Sequence, residues 1–487
     1  MIKKLSTAIK KFNIILLLIT AAALHLPLSA AAGAYSAGIS IDTSVAKKHT
    51  DASMYGMSGE WGSKLSNAIE TADGFPVSDT FTENLAGFSL PLYRLAGSSS
   101  KYFFWKDYTG DITKRVPCEN GSGYTYLGIA DWIRATRAVD ADAEFMYVPN
   151  LIYDSMENLR DLAVYLTCSP GEYTDANGLD WAQRRVEDGL PNPVDIIWEL
   201  GNEYDYSLGF TQQEYISLCR GAISVIRSID SDAKIACHAD TTLVSKGLSG
   251  DDSGYLWDKA VLKELGDKID YMIVHSYYPG SNTYKVPEVV DNISKDILDI
   301  TGNNRIKLII SEHSWWASDI YSNQYKLRSM FSLGQTADYY LRLTDYPNVA
   351  AAAYHSLSIA VDDNFVPSGI LRLTSLMCRY TVGDNCKTSV TCNNSQYSRY
   401  VTACATKVDG GVNLVLNNTS TDDSYNITVD TNLSAVKKVT MYSDGDVYGN
   451  PDSWQSDVAV SETVYPKSDG VKSFTLSPNT LVCVELR

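Results

Sequence analysis

The segment Asp195-Ile-Ile-Trp-Glu-Leu-Gly-Asn-Glu203 decides the fold that we predict for this chain. Its apolar run, from Ile196 to Leu200, is typical of a short strand buried in a core. The run stops at Gly201, so Asn202 and Glu203 stand where the strand leaves the core. In a barrel of parallel strands, that end of each strand faces the mouth at which functional residues gather. The segment therefore predicts a carboxylate and an amide at a barrel mouth.

Seven other strand candidates lie on either side of this segment, between residues 50 and 357. Amphipathic helical patterns separate them; Tyr215, Leu218 and Ala222, for example, recur at helical spacing. The candidates are Ser53–Gly56, Leu92–Leu95, Glu144–Val148, Lys234–Cys237, Tyr271–Val274, Leu308–Ser311 and Val349–Tyr354. Eight strand-then-helix units predict an α/β fold, a (β/α)₈ TIM barrel.

The pattern changes after residue 382, where short alternating strands are separated by turn signals such as Asp409-Gly-Gly. This is typical of an antiparallel β-sandwich, and an isolated strand at residues 37–42 is expected to complete it. We predict four parts: a signal peptide at 1–30, a strand segment at 31–48 joining the sandwich, the catalytic barrel at 49–381 and the sandwich at 382–487.

The first thirty residues have the pattern of an export signal. Lys3, Lys4 and Lys10 lie in a positive region, an apolar run follows from Ile14 to Leu26, and Ala30 ends a small-residue cleavage site. We therefore expect a secreted, extracellular protein that has no membrane partner after cleavage. A retained membrane anchor is the alternative.

Composition excludes some partners. The net charge of −17 disfavours nucleic acid and anionic membranes, and it suits an enzyme that acts on neutral material. The nine cysteines include no C-x-x-C pair and the six histidines are scattered, so there is no zinc signature. No metal and no cofactor are expected. Four cysteines cluster between Cys378 and Cys404, where an exported chain could form a local disulfide.

A second strand end, in Lys307-Leu-Ile-Ile-Ser-Glu312, supplies another carboxylate. Two carboxylates at strand ends are what glycoside hydrolysis needs: one acid/base and one nucleophile or base. We take Glu203 as the acid/base candidate and Glu312 as the nucleophile candidate. They end the fourth and seventh of the eight predicted strands, which lie across the barrel mouth, close enough to flank one glycosidic bond. The alternative for Glu203 is a solvent-exposed helix cap.

Further residues at strand ends are candidates for binding the substrate. For each there is a plainer alternative, such as a solvated acid for Glu60, a structural ion pair for Arg94, or an aromatic turn around His275. Trp315 follows Glu312, and an aromatic ring there offers a flat apolar face to a sugar. The full set is Glu60, Arg94, Asn150, Asn202, His275, Tyr277, Trp315 and His355.

These residues in this order resemble the clan A retaining glycoside hydrolases, and most of all the family 51 α-L-arabinofuranosidases. The similar segments are Ile39–Asp42 with Met54–Gly56 and Glu60, Tyr93–Gly97 with Phe104–Asp107, Ile197–Glu203 with Thr211–Tyr215, Asp270–Tyr277, and Ile310–His313. The resemblance implies a barrel plus a sandwich that shares an N-terminal strand. It also implies a retaining mechanism by double displacement, with no cofactor.

Three positions depart from the family pattern. Ala96-Gly-Ser stands where the family usually has Pro-Gly-Gly, Glu312-His-Ser stands in place of Glu-Trp-Asn, and His355 stands where a glutamine usually touches the sugar. These positions are expected to shape the pocket for the terminal sugar. The sequence therefore predicts the type of reaction better than the identity of the terminal sugar.

Three hypotheses follow. The first is a secreted, exo-acting α-L-arabinofuranosidase that removes side chains from plant-type polysaccharides. The second is a clan A enzyme of β-glucuronidase, β-xylosidase or glucanase type. The third is a carbohydrate-binding protein without activity. In each case the partner is an oligo- or polysaccharide.

Overall fold

The computed structural model describes residues 35–59, 67–70, 74–95, 97–116, 118–120, 123–241, 254–279, 286–317, 319–320 and 322–487. The predicted signal peptide lies outside these residues. Within them, no helix is both long and apolar enough to cross a membrane.

Eight parallel strands close into a barrel, as the sequence predicts, although two further short strands form a separate hairpin. In chain order, the strands up to the end of the barrel are β1 Tyr35–Thr50, β2 Gly56–Gly59, β3 Leu92–Leu95, the hairpin β4 Cys118–Asn120 and β5 Gly123–Thr125, then β6 Glu144–Tyr147, β7 Ile196–Leu200, β8 Lys234–His238, β9 Tyr271–Pro279, β10 Lys307–Trp316 and β11 Val349–His355. The barrel order is β2-β3-β6-β7-β8-β9-β10-β11, closed between β11 and β2.

Helices cover the outside of the barrel. They are α1 Asp79–Asn84, α2 Ile129–Val139, α3 Met156–Thr167, α4 Trp181–Glu187, α5 Tyr204–Ser207, α6 Gln212–Ile229, α7 Gly254–Leu265, α8 Val286–Thr301, α9 Met330–Leu343, α10 Leu357–Ala360 and α11 Gly369–Thr381. A capping box between Thr211 and Glu214 begins α6, which is the long helix after the segment that decides the fold.

The first barrel strand begins three residues later than the sequence predicts. Ala52–Tyr55 forms a turn of 3-10 helix, and β2 starts at Gly56. A Cβ at Gly56 would lie 2.7 Å from the Leu92 side chain and 3.1 Å from the Ala352 carbonyl oxygen, so this strand can approach its neighbours only at a glycine. Ser53, Met54 and Tyr55 alternate between polar and apolar character too briefly to tell a 3-10 turn from the start of a strand.

The floor of the barrel is a layer of apolar side chains, one from each of seven strands, separate from the main core. The layer consists of Leu92, Met146, Ile197, Ala236, Ile273, Ile309 and Ala351. Because strand side chains alternate between faces, residues two positions further along each strand also face the inside. The site is built on this floor.

The remaining strands form one nine-stranded sheet, which β1 joins as the sequence predicts. They are β12 Gly383–Cys392, β13 Val401–Val408, β14 Gly411–Asn418, β15 Tyr425–Asp430, β16 Ala435–Ser443, β17 Val458–Val464, β18 Ser473–Leu476 and β19 Thr480–Leu486. β1 pairs antiparallel with β12 and parallel with β15. The sheet curls around its own apolar core, to which Ile39 of β1 and Phe474 of β18 both belong.

The four clustered cysteines do not form the local disulfide that the sequence allows. Cys378, Cys386, Cys392 and Cys404 are all free thiols. Cys404 is buried, and burial raises its pKa to about 11, so it is a protonated, unreactive thiol at neutral pH.

Candidate active site

A layer of charged and polar side chains lies directly above the apolar floor. Arg94, Glu199, His238 and His275 each stand two residues beyond a floor residue of the same strand. In β10 the register shifts: Ile309 pairs with Ile273, but the next pair joins Glu312 to His275. This irregularity carries Glu312 into the layer, where simple alternation would place Ser311 alone.

Glu312 is buried and held ionised. Its Oε1 accepts a hydrogen bond from Arg94 Nη1 at 2.5 Å, and its Oε2 accepts one from the Tyr277 hydroxyl at 2.5 Å. Burial alone would raise the pKa of Glu312, but the charges of His275, Arg94 and His355 together with the Tyr277 hydrogen bond lower it well below its usual range. Tyr277 thus donates directly to the predicted nucleophile.

Glu203 stands beside Glu312 at the end of β7. Its backbone is left-handed, with φ at 51°, after Gly201 with φ at 99°. A Cβ at Gly201 would lie 2.7 Å from the Tyr204 ring, so the tight turn needs the glycine. The turn aims Glu203 Oε1 at His275 Nδ1, 2.7 Å away. Carboxylate oxygens of Glu203 and Glu312 lie within 4.8 Å of each other around His275.

Arg94 connects most of this layer. Its Nε and Nη2 donate to the two oxygens of Glu199 at 2.6 and 2.7 Å, and Nη2 also donates to Asn202 Oδ1 at 2.6 Å. The structural ion pair that the sequence allows for Arg94 is therefore observed with Glu199, and Arg94 also holds Glu312. Asn202 is placed beside the carboxylates, with its oxygen engaged by Arg94.

Sequence reasoning missed three residues of the layer. Glu199 accepts hydrogen bonds from His238 Nε2 at 2.7 Å and Ser311 Oγ at 3.1 Å, besides those from Arg94. All three residues are buried. The signal was present for Glu199 and His238, because each is a polar residue two positions beyond an apolar one in a short strand. Ser311 also stands two positions beyond an apolar floor residue, Ile309, so the same alternation indicates its place in the layer.

The other candidates are distributed around the mouth. His355 ends β11, and its ring centroid lies 6.1 Å from that of Tyr277. Trp315 is 8% exposed and packs on Phe331, whereas the next residue, Trp316, has its ring 5.7 Å from Tyr277. The structure therefore brings His355 to the site and places Trp316, not Trp315, beside Tyr277. Glu60 lies outside the described residues.

His313 does not line the pocket, contrary to the expectation from the sequence. It is fully buried, its ring stacks on that of Tyr339 with centroids 4.8 Å apart, and its Nε2 lies 3.0 Å from the Tyr340 hydroxyl. Because Glu312 faces inward, the residue after it faces the helices. Of the other departures from the family pattern, Ala96 lies outside the described residues and His355 stands at the mouth.

Two exposed tyrosines stack at the mouth, on the loops after β3 and β6. The rings of Tyr102 and Tyr153 are 52% and 58% exposed, with centroids 5.9 Å apart and planes at 24°. Asn150 holds these loops together, since its Nδ2 donates to the Phe103 carbonyl at 3.4 Å and its Oδ1 accepts from the Tyr153 amide at 3.0 Å. Asn150 thus makes local contacts next to an aromatic surface.

Two groups among the described residues bring potential metal ligands together: Glu199, His238 and His275, and Glu203, His275 and Glu312. Each group includes a carboxylate that already receives hydrogen bonds from the Arg94 guanidinium. A cation bound there would stand close to a fixed positive charge, which costs energy in a buried site. The donor set therefore fits proton chemistry better than metal binding.

No family model matches the chain. Over 225 residues it is 25% identical to an intracellular exo-α-(1→5)-L-arabinofuranosidase of Bifidobacterium longum, a match that covers 41% of this chain and 36% of that protein. The matched part is thus about a third of that relative's length. A solved family 51 α-L-arabinofuranosidase from B. longum has a TM-score of 0.76 at 16% identity, covering 93% of this chain and all of that one. The corresponding values for a family 51 arabinofuranosidase from Xanthomonas axonopodis pv. citri are 0.76 and 15%, with the same coverage.

The chain resembles the glycoside hydrolase family 51 α-L-arabinofuranosidases. The resemblance drawn from the sequence motifs is confirmed, and so is the barrel with its curled sheet. The expectation of a secreted, extracellular protein is wrong by the same comparison, because the four curated relatives are all named intracellular. A basic segment followed by an apolar run is a compositional signal, and composition alone does not decide where a protein resides.

Proposed function

We propose that the chain is a retaining, exo-acting α-L-arabinofuranosidase that works by double displacement with Glu312 and Glu203. The observation that supports this most directly is the approach of the two carboxylates to within 4.8 Å of each other around one imidazole. Retaining glycosidases have their carboxyl groups roughly 5–5.5 Å apart, while inverting enzymes need about 6.5–9.5 Å to admit a water. The short separation favours retention.

In the first step, Glu312 attacks the anomeric carbon and Glu203 gives its proton to the departing oxygen. The bond from sugar to leaving group breaks, and an ester between the sugar and Glu312 forms. In the second step, Glu203 takes a proton from water, which attacks the same carbon and frees Glu312. The contacts from Arg94 and Tyr277 suit Glu312 to the nucleophile's role, because they keep its carboxylate ionised.

The names of the relatives point to arabinofuranosyl groups, including the α-(1→5) linkage in the curated ones. We expect 4-nitrophenyl α-L-arabinofuranoside to be hydrolysed with kcat/KM at least tenfold above that of the matched β-D-xylopyranoside, β-D-glucopyranoside and β-D-glucuronide, a difference of about 1.4 kcal/mol. Proton NMR during the first minutes should show the sugar released with its anomeric configuration retained.

The same screen decides between the hypotheses. Preference for one of the pyranosides would replace the proposed substrate with that of a related clan A enzyme. Release of the inverted sugar would contradict double displacement. Binding of arabino-oligosaccharides in calorimetry, with no turnover of any glycoside, would favour a carbohydrate-binding protein.

The exposed tyrosines are expected to hold the leaving-group side of an oligosaccharide. Their loops follow β3 and β6, and β6 adjoins the acid/base strand β7. We expect Tyr153→Ala to raise KM for α-(1→5)-linked arabino-oligosaccharides about fivefold, a loss of roughly 1 kcal/mol of apolar contact. KM for methyl α-L-arabinofuranoside, which has no sugar there, should not change; steady-state kinetics on both substrates measures this.

Tyr173→Ala is the matched control, because Tyr173 is an exposed aromatic between α3 and α4, on a connection that leads into β7 rather than out of it. Its kinetics should equal those of the wild type. Equal KM changes in the two variants, or in the two substrates, would show that the tyrosine pair is not a sugar contact.

A further inference from the structure

Glu199 is a fully buried carboxylate for which the two-step reaction has no role. Four donors reach it: Arg94 Nε and Nη2, His238 Nε2 and Ser311 Oγ. Burial opposes its ionisation, but Arg94 and the hydrogen bonds outweigh burial and lower the pKa of Glu199 to about 2. The group is therefore a fixed negative charge beneath the reacting carboxylates.

Ser311 links this charge to His275. Its hydroxyl donates to Glu199 Oε1 at 3.1 Å, because an ionised carboxylate can only accept. The hydroxyl has a single hydrogen, so toward His275 the Ser311 oxygen must accept. His275 Nε2 lies 3.1 Å from that oxygen and must carry a hydrogen.

The second ring nitrogen of His275 faces acceptors as well. Nδ1 lies 2.7 Å from Glu203 Oε1 and 3.7 Å from Glu312 Oε2. Burial disfavours a charge on the ring, but these two carboxylates outweigh it, and the pKa of His275 is raised. Both nitrogens thus face acceptors, which is the pattern of an imidazolium.

The remaining charged or titratable neighbours of His275 are consistent with that state. The His238 ring stands 4.8 Å away, and burial lowers the pKa of His238, so it stays neutral and donates to Glu199. Arg94 is positive and opposes the charge on His275. Tyr277 is neutral, because burial and the Glu312 charge raise the pKa of its hydroxyl.

We propose that Glu199 is a positioning residue that, acting through Ser311, keeps His275 doubly protonated through both steps of the reaction. The inference rests on the proposed function for what those steps are. The contacts that carry it are the hydrogen bonds along the line from Glu199 through Ser311 and His275 to Glu203.

Charge balance gives the reason. Before the first step, Glu199 and Glu312 are negative and Arg94 and His275 are positive. Glu203 then holds the acid proton on Oε2, so its Oε1 still accepts the hydrogen bond from His275 Nδ1. After the first step, Glu312 is an uncharged ester and Glu203 is a carboxylate. The buried cluster is neutral in both states, so neither step builds a net charge in a low-dielectric site. Without the charge of Glu199 the cluster would be positive, and His275 is the member that can lose a proton.

The test is Glu199→Gln, which keeps the shape and removes the charge. The protonation of His275 is followed by ¹⁵N NMR on protein labelled at its six histidines, with a His275→Gln sample for assignment. We expect His275 to lose its proton about one pH unit or more lower in Glu199→Gln than in the wild type. The alkaline side of the kcat/KM profile should move with it, and the ratio of kcat/KM at pH 8 to that at pH 6 should fall about tenfold.

Ser311→Ala removes the hydroxyl that joins Glu199 to His275 and leaves every charge in place. If Glu199→Gln does not fold, the inference is tested with Ser311→Ala instead. It should move the His275 titration in the same direction by less, and Ser311→Thr, which restores the hydroxyl, should reverse part of that change. If His275 titrates at the same pH in the wild type, Glu199→Gln and Ser311→Ala, Glu199 is only structural and the inference is wrong. Absence of arabinofuranosidase activity in the wild type would instead overturn the proposed function, and the NMR titration would still decide the inference.

Discussion

Replacing Glu312 by glutamine is expected to lower kcat on every glycoside that the protein accepts by on the order of 10⁴-fold or more. The amide has the shape of the carboxylate but cannot form the ester on which double displacement depends. Because Glu312 must attack the anomeric carbon whichever group departs, the loss should be large for good and for poor leaving groups alike. Single-turnover and steady-state rates on 4-nitrophenyl and methyl α-L-arabinofuranoside measure it.

Glu203→Gln is the matched comparison, since it removes the acid and leaves the nucleophile. A 4-nitrophenolate leaves without a proton, so the first step should survive on that substrate and fail on the methyl glycoside, where general acid catalysis is worth about 10²–10⁴-fold. Azide can then replace the water that Glu203 would activate, giving an arabinosyl azide of retained configuration. If both variants lose the same factor on both substrates, the division of roles between Glu203 and Glu312 is wrong.

Much of the site follows from the alternation of side chains along the strands. Among the residues of the layer, Glu312 departs from that alternation. Glu203 was found because an apolar strand ends at a glycine turn, which is a local signal. Glu312 was found because it closely follows the apolar run Leu308–Ile310, but its inward direction depends on the irregularity in β10 between Ile309 and Glu312. That irregularity arises from packing between strands, and no feature of the segment itself predicts it.

The buried pair Glu199 and His238 shows which contacts the local sequence does not predict. His238 directly follows the predicted strand Lys234–Cys237, and Glu199 lies inside the run predicted as a buried apolar strand. Such a carboxylate is costly inside a core unless it is paired. Its partner Arg94 is 105 positions away along the chain, so the pairing follows from the closed barrel and not from any local window. The eight-strand pattern was predictable from the sequence. Predicting which charged side chains meet also requires the strand register of the closed barrel.

Arg94→Met is expected to lose both activity and stability, and the stability loss should depend on pH. The guanidinium pairs with two buried carboxylates, Glu199 and Glu312, and removing one partner of a buried ion pair costs about 3–5 kcal/mol. The pKa of Glu199 is depressed from an unfolded value of about 4.3 to about 2, so its contribution is complete above pH 4.3 and is lost as the pH falls toward 2. The gap in thermal midpoint between wild type and Arg94→Met should be widest near neutral pH and should narrow between about pH 4 and pH 2.

Arg94→Lys separates the charge from the geometry. The ammonium keeps the positive charge and should recover part of the stability, but it cannot reach Glu199, Glu312 and Asn202 at once as the guanidinium does. Its kcat should therefore stay well below that of the wild type although its midpoint is nearer to it, and thermal unfolding and kinetics on one preparation measure both. A lysine variant with full activity would mean that Arg94 supplies only charge, and equal midpoints for wild type and Arg94→Met near neutral pH would mean that the buried pairs contribute nothing to folding. The fold and the chemistry thus depend on the same guanidinium, because Arg94 neutralises Glu199 through Nε and Nη2 and orients Glu312 through Nη1.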